Sequence, residues 1–360
     1  MLSPKLASRL KRNLSLVAFL GLIPPGAFAA SFTETVFATG GSLKATQPNS
    51  VTYGDGSVWV SYANNAPTTN YSGAGTIVQY DTAGTAQNTY SLGGSLGGLK
   101  YNPNTGQFWV LQGQDLYSQL SIINPAAKTV SSYAFSSIAI TAGERAFDDV
   151  AFVGGKVFLS ETNPFSYDFQ PEVIVQLNNP TPSGTIAVTS TLNFSNGILA
   201  KDSRALNATP TGGLILTGRK DQALTFVTNP GQPNQTASSL HLVAAPGATI
   251  GLPGDALYAG STSGTFYLTD SGTNTVYRVA ASGLDPNTLF VDAGNEFGSV
   301  DPNTGIVTPL LYGSNLDGMT FVPDAASVPE PSSLGISAAA GALALLALLR
   351  RRFLNKALLN

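Results

Sequence analysis

The chain has no cysteine, one histidine, and charge on only 11% of its 360 residues. The missing cysteines exclude disulfides, thiolate metal sites and a thiol nucleophile together. One imidazole cannot build a multi-histidine metal site, and His241, within Ser239-Leu240-His241-Leu242, reads as an ordinary strand residue, so no His-based triad is expected. Long apolar runs are absent except near the two ends. Phosphate-cradling loops are missing too, since Gly73-Ala74-Gly75 has no helix after it and no glycine run precedes a Walker-type lysine.

Positive charge is scarce where it would matter for nucleic acid. Residues 30–327 hold ten basic and twenty acidic side chains, a net charge of about −10 that the whole-chain value of −3 conceals. Such a body excludes nucleic acid as a partner and disfavours docking to anionic lipid. Uncharged Ser, Thr, Asn and Gly take the place of the charges, which suits secreted material.

What the chain does have at its ends is targeting chemistry. Residues 1–29 are laid out as a signal peptide, with Lys5, Arg9, Lys11 and Arg12, an apolar core over 14–23, and a helix-breaking Pro24-Pro25-Gly26. Ala27 and Ala29 are the small residues a signal peptidase reads, which places cleavage before Ala30. At the other end, 334–349 is an uncharged Ala/Leu-rich run at the short edge of what spans a bilayer. Arg350, Arg351, Arg352 and Lys356 would keep its far side cytoplasmic. Before it, Val328-Pro329-Glu330-Pro331 cannot continue a helix freely and should be extended and open to an enzyme.

This order of Pro-Glu-Pro, small polar residues, short apolar helix and arginine cluster resembles the PEP-CTERM sorting signal of bacteria with an outer membrane. The resemblance covers 328–357 and implies an exosortase as processing partner, transient residence in the inner membrane, and a final place at the cell surface or in extracellular matrix. It also implies association with exopolysaccharide or envelope proteins. The residues after the arginines run slightly longer than usual in that family.

Between the ends, helical periodicity is nearly absent and short β-branched or aromatic runs recur between turn residues. The unit is a first strand, a Gly-containing turn, a very apolar second strand, a loop and a third strand. It is visible at Val51–Ser61, at Gly98–Leu111 with the turn Asn102-Pro103-Asn104-Thr105-Gly106, and at Asp149–Ser160. A blurred fourth copy centres on Leu214–Thr217 and Leu224–Val227. A fifth joins Ala256–Tyr258, Thr265–Asp270 and Thr275–Val279, and a last piece holds Asp301-Pro302-Asn303-Thr304-Gly305 and Leu316–Phe321. Trp59, Trp109 and Phe158 fall 50 and 49 residues apart. A four-stranded unit of roughly 40–50 residues is a propeller blade. The expectation is an all-β propeller of five or six four-stranded blades over 30–327, ring closure by a strand at Phe32–Phe37, a signal peptide at 1–29, and one transmembrane helix in 328–360. The body resembles NHL- and YVTN-type propellers.

Chemistry is thin. Glu144-Arg145, Asp148 and Asp149, and later Asp202, Asp255 and Asp317, fall at the starts of units, where first strands would line a central channel. Facing carboxylates there could hold Ca²⁺ or act as a glycosidase pair, although Asp at such places commonly caps turns. A loop with Glu161, Tyr167, Asp168, Phe169 and Glu172 could stack sugars or be a solvated insertion. No cofactor is otherwise implied. The reading is an exported binding or structural module and not an enzyme; the alternative is a polysaccharide-acting enzyme using channel carboxylates.

Overall fold

The computed structural model describes residues 30–67, 72–113, 118–136, 146–162, 174–177, 185–192 and 203–324. The body up to Pro323 is one compact unit. Strand β1 (Ser31–Thr39) opens it. Blade one is β2 (Pro48–Gly54), β3 (Ser57–Tyr62), β4 (Ala74–Tyr80) and β5 (Ala86–Gly93). Blade two is β6 (Leu96–Asn102), β7 (Gln107–Gln112), β8 (Gln119–Asn124) and β9 (Thr129–Ser136). Blade three is β10 (Ala146–Val153), β11 (Lys156–Thr162), β12 (Ile174–Leu177) and β13 (Thr185–Leu192). Blade four is β14 (Ser203–Ala208), β15 (Leu214–Gly218), β16 (Ala223–Thr228) and β17 (Thr236–His241). Each is an antiparallel meander, as two-residue left-handed turns such as Asp55-Gly56 and Gly154-Gly155 require.

The remaining strands are β18 (Val243–Ala244), β19 (Ala256–Tyr258), β20 (Ser263–Asp270), β21 (Thr275–Ser282), β22 (Leu289–Asp292), β23 (Gly294–Val300) and β24 (Ile306–Pro323). They form one sheet in the order β1-β21-β20-β24-β23-β22-β19. Two blades are interlaced in it. The fifth is β19, β22, β23 and the first part of β24. The sixth has the second part of β24 innermost, then β20, β21 and β1 outermost.

This corrects the fifth sequence unit. Ala256–Tyr258 is the inner strand of blade five, whereas Thr265–Asp270 and Thr275–Val279 belong to blade six. The sequence misleads because Asn102–Gly106 and Asp301–Gly305 make the same turn, in which the first side chain accepts the N–H two residues on and Gly takes positive φ. The first turn joins inner and second strands; the second joins third and outer strands. Closure by the N-terminal strand is as expected, with β1 paired along β21.

Second strands are apolar on both faces because neighbouring blades cover both; every residue of Ser57–Tyr62 and Leu214–Gly218 is buried. Trp59 stacks on Phe108 of the next blade at 4.0 Å and on Tyr90 at 5.7 Å. The interlaced pair is held by Phe266, which meets Phe321 at 4.5 Å, Phe290 at 4.7 Å and Phe297 at 5.0 Å. Phe32 of β1 packs on the same cluster. Among the described residues no helix is long and apolar enough to cross a membrane. The sorting motif, the span 334–349, Arg350–Arg352, Ala27 and Ala29 all lie outside them.

Candidate functional site at the channel mouth

The inner strands β2, β6, β10, β14, β19 and the end of β24 pack side by side in a ring. Just before the ring level the strand pairing slips at β2, β6, β10, β14 and β24. A bulge of this kind leaves extra residues unpaired and re-aims their side chains. Asn49, Asp148, Arg204 and Asp317 sit at these slips. The sequence supplies no spacing rule for bulges, so only the two aspartates among them were legible as site candidates.

One step inward the ring alternates long and short: Ser50, Gly98, Asp149, Ala205, Asp255, Gly318. Each polar member bonds the next blade. Ser50 Oγ accepts from Leu99 N–H at 3.1 Å, Asp149 Oδ2 from Leu206 N–H at 2.9 Å, and Asp255 Oδ2 from Met319 N–H at 3.2 Å. Each glycine leaves room for its other neighbour, since a Cβ on Gly98 would collide with Asp149 and one on Gly318 with the Asn49-Ser50 backbone.

A second set of polar groups comes from the second strands. Ser61 Oγ accepts Ser50 N–H at 3.0 Å, Ser160 Oγ accepts Asp149 N–H at 3.2 Å, and Thr217 Oγ1 accepts Ala205 N–H at 3.0 Å. In blade five the same place is taken by Asp292, whose Oδ1 accepts Asp255 N–H at 2.5 Å. In blades one, three and four a hydroxyl does this. The carboxylate therefore brings an extra oxygen, Oδ2, which is buried and has no hydrogen-bond partner among the described residues.

Asp149 and Asp255, both expected as channel carboxylates, are buried in the ring and tied to backbone. Asp149 Oδ1 also accepts Val150 N–H, and Asp255 Oδ1 accepts Ala256 N–H and the Asn207 amide. Lys100 Nζ lies 3.2 Å from Asp149 Oδ2 and donates to Asn207 Oδ1 at 2.7 Å. Burial pushes the Asp149 carboxyl up to about 6 against the pull of Lys100, and the Lys100 ammonium is raised by Asp149 and Asp255 despite its burial. Burial, then the charge of Asp255, raises Asp292 well above the carboxylate range. Asp148 is buried in the bulge next to Asp149.

Asp317 is the expected carboxylate that reaches open space. It lines a polar pocket of about 610 Å³ with Arg204, Arg219, Asn295, Ser314 and Asn315. Its carboxyl is raised by burial and by Asp255, and opposed by Arg204 and Arg219. The rim is fixed by Asp270, whose carboxylate accepts the N–H groups of Gly272, Thr273, Ser314 and Asn315 at 2.8–3.2 Å. Beside it, Glu296 has both oxygens buried without a hydrogen-bond partner among the described residues, and burial raises its carboxyl.

Sequence reasoning missed Asp292, Arg204 and Arg219. Alignment of Ser61, Ser160 and Thr217 would have marked Asp292 as the odd member, but only once blade five is correctly assembled. Asp202, Glu144-Arg145 and most of the aromatic loop, Tyr167, Asp168, Phe169 and Glu172, lie outside the described residues; His241 is exposed on β17. Among the described residues no group of three or more His, Asp or Glu is arranged to hold a metal ion. The oxygens of Asp149 and Asp255 each accept N–H donors.

No family model matches the chain, and no curated protein matches it in sequence. Solved structures similar to it include a protein provisionally assigned as a gluconolactonase, at TM-score 0.49 and 14% identity over 83% of this chain and 87% of that one. Virginiamycin B lyase from Staphylococcus aureus is similar at TM-score 0.46 and 13% identity, over 82% and 94%. A protein of unknown function from Bacteroides caccae is similar at TM-score 0.47 and 10% identity, over 77% and 87%. The expectation that the chain is not an enzyme is corrected by this comparison, in which similar solved structures bear enzyme names.

Proposed function

We propose that this is an exported β-propeller enzyme that acts on polysaccharide through acid–base chemistry at the channel mouth. The carrying observation is Asp317, raised by its surroundings, on the wall of a pocket that also presents Arg204 and Arg219. A carboxyl raised by burial can give a proton to the departing glycosidic oxygen and regain one from the water that completes the cleavage. The arginines hold negative charge on a substrate or on the departing group, and the amides of Asn295 and Asn315 suit sugar hydroxyls. Asp292 lies against Gly254 beneath the pocket, and the charge of Asp317 helps to raise it.

The location belongs to the same proposal. Residues 1–29 direct export, and Val328–Pro331 with the span 334–349 delivers the body to an exosortase for release at the cell surface or into exopolysaccharide matrix. The support is the order of features in the sequence. Intact mass of the secreted protein checks it: loss of both 1–29 and the residues after Pro331 is expected, and a product retaining Arg350–Arg352 sinks the sorting claim.

For the chemistry, the test is release of new reducing or unsaturated ends from a panel of neutral and acidic polysaccharides. Asp317→Asn should lower turnover about 100-fold or more with an unchanged melting temperature. Turnover that survives Asp317→Asn, or none from any polysaccharide with the wild type, would overturn the assignment.

A further inference from the structure

The strands β14 and β19 start at the polar mouth and end, at Ala208 and Tyr258, beside a second cavity of about 600 Å³ at the opposite end of the channel ring. That volume falls within the roughly 300–1,000 Å³ of small-molecule sites. Its chemistry differs from the mouth in one respect: none of its lining residues carries a charge. Phe226 and Tyr258 are half-buried in its wall, above a floor of Leu214 and Val227, while Thr211 and Asn229 stand exposed at the edge.

We propose that this groove is a second binding site, for an uncharged saccharide segment. A charged ligand would be desolvated there with no opposite charge to meet it. An apolar peptide would cover polar groups without satisfying them: the Tyr258 hydroxyl and the Asn229 amide make no hydrogen bond among the described residues, and burial already raises the Tyr258 hydroxyl. A sugar ring meets both demands, with C–H faces for the two aromatic rings and hydroxyls for the phenol and amide. Asn229 is held at positive φ in the turn after β16 and Thr209 Oγ1 accepts Gly213 N–H at 2.8 Å, so the loops that border the groove are preset. The site stands apart from the acid–base mouth, and its existence does not depend on the chemistry proposed there.

The experiment is titration calorimetry of the purified protein with neutral gluco-oligosaccharides, oligouronates and an uncharged apolar peptide. Neutral oligosaccharide should bind, Tyr258→Phe should weaken it by about threefold to tenfold and Phe226→Ala by more than about tenfold. Tyr258→Phe removes only a hydroxyl, so it reports on the site even where Phe226→Ala unfolds. No binding of neutral oligosaccharide up to millimolar concentration, binding untouched by Tyr258→Phe, or uronate or peptide binding that Tyr258→Phe weakens more than it weakens neutral oligosaccharide would each overturn the proposal.

Discussion

Replacing Asp292 by Ser separates what this residue does for the fold from what it does to its neighbours. The ring shows that a hydroxyl suffices for the backbone, since Ser61, Ser160 and Thr217 accept the same inner-strand N–H in blades one, three and four. Asp292→Ser therefore keeps an acceptor for Asp255 N–H and removes an oxygen that is buried without a partner among the described residues. An unsatisfied buried acceptor costs about 1–3 kcal/mol. The cost depends on pH in a definite direction. The folded carboxyl is raised well above its usual value, so the folded state binds the extra proton and stability falls as pH rises from about 4 through the folded pKa. At pH 4 the variant should match the wild type; at pH 8 it should be more stable by about 1–3 kcal/mol, a rise in melting temperature of about 2–6 °C for a body this size. Asp292→Ala, which leaves Asp255 N–H with no acceptor, should be less stable at both pH values. Thermal and urea denaturation at the two pH values decide it. A serine variant that is destabilised at pH 8, or shifted equally at both, would refute the reasoning.

Other outcomes follow from the same ring. Lys100→Met leaves Asp149 buried beside Asp255 without its ammonium; it should cost about 3–5 kcal/mol and move the Asp149 carboxyl above about 6, read by denaturation and carboxyl-carbon NMR titration. In the wild type, Asp149 rises from 3.8 to about 6, so its share of stability is complete below about pH 4 and lost by about pH 6, roughly 3 kcal/mol at 1.36 kcal/mol per unit. Urea midpoints across that range should fall for the wild type and stay flatter for Asp149→Ser. Removing residues 31–39 takes away the outer strand of blade six and the Phe32 contact; melting should drop and the bared β21 edge should promote association, seen by light scattering.

The sequence alone was enough for the class of fold and for the closure strand. Apolar β-branched runs at a near-50-residue spacing require four-stranded units, and a strand left over at Phe32–Phe37 has to pair with the last of them. It was also enough to single out Asp149, Asp255 and Asp317, because first-strand positions converge on an axis in any such ring. Tertiary structure alone decided how blades five and six share their strands, since the turn at Asp301–Gly305 has the same local chemistry as the one at Asn102–Gly106 and local chemistry carries no rank within a blade. It also decided which carboxylate faces the pocket. Asp149 and Asp255 are drawn into the ring by backbone N–H groups from the next blade, while Asp317 sits at a slip in strand pairing and meets Arg204 and Arg219, which come from another blade. Those partners are about a hundred residues away in the chain, and only the closing of the ring brings them together.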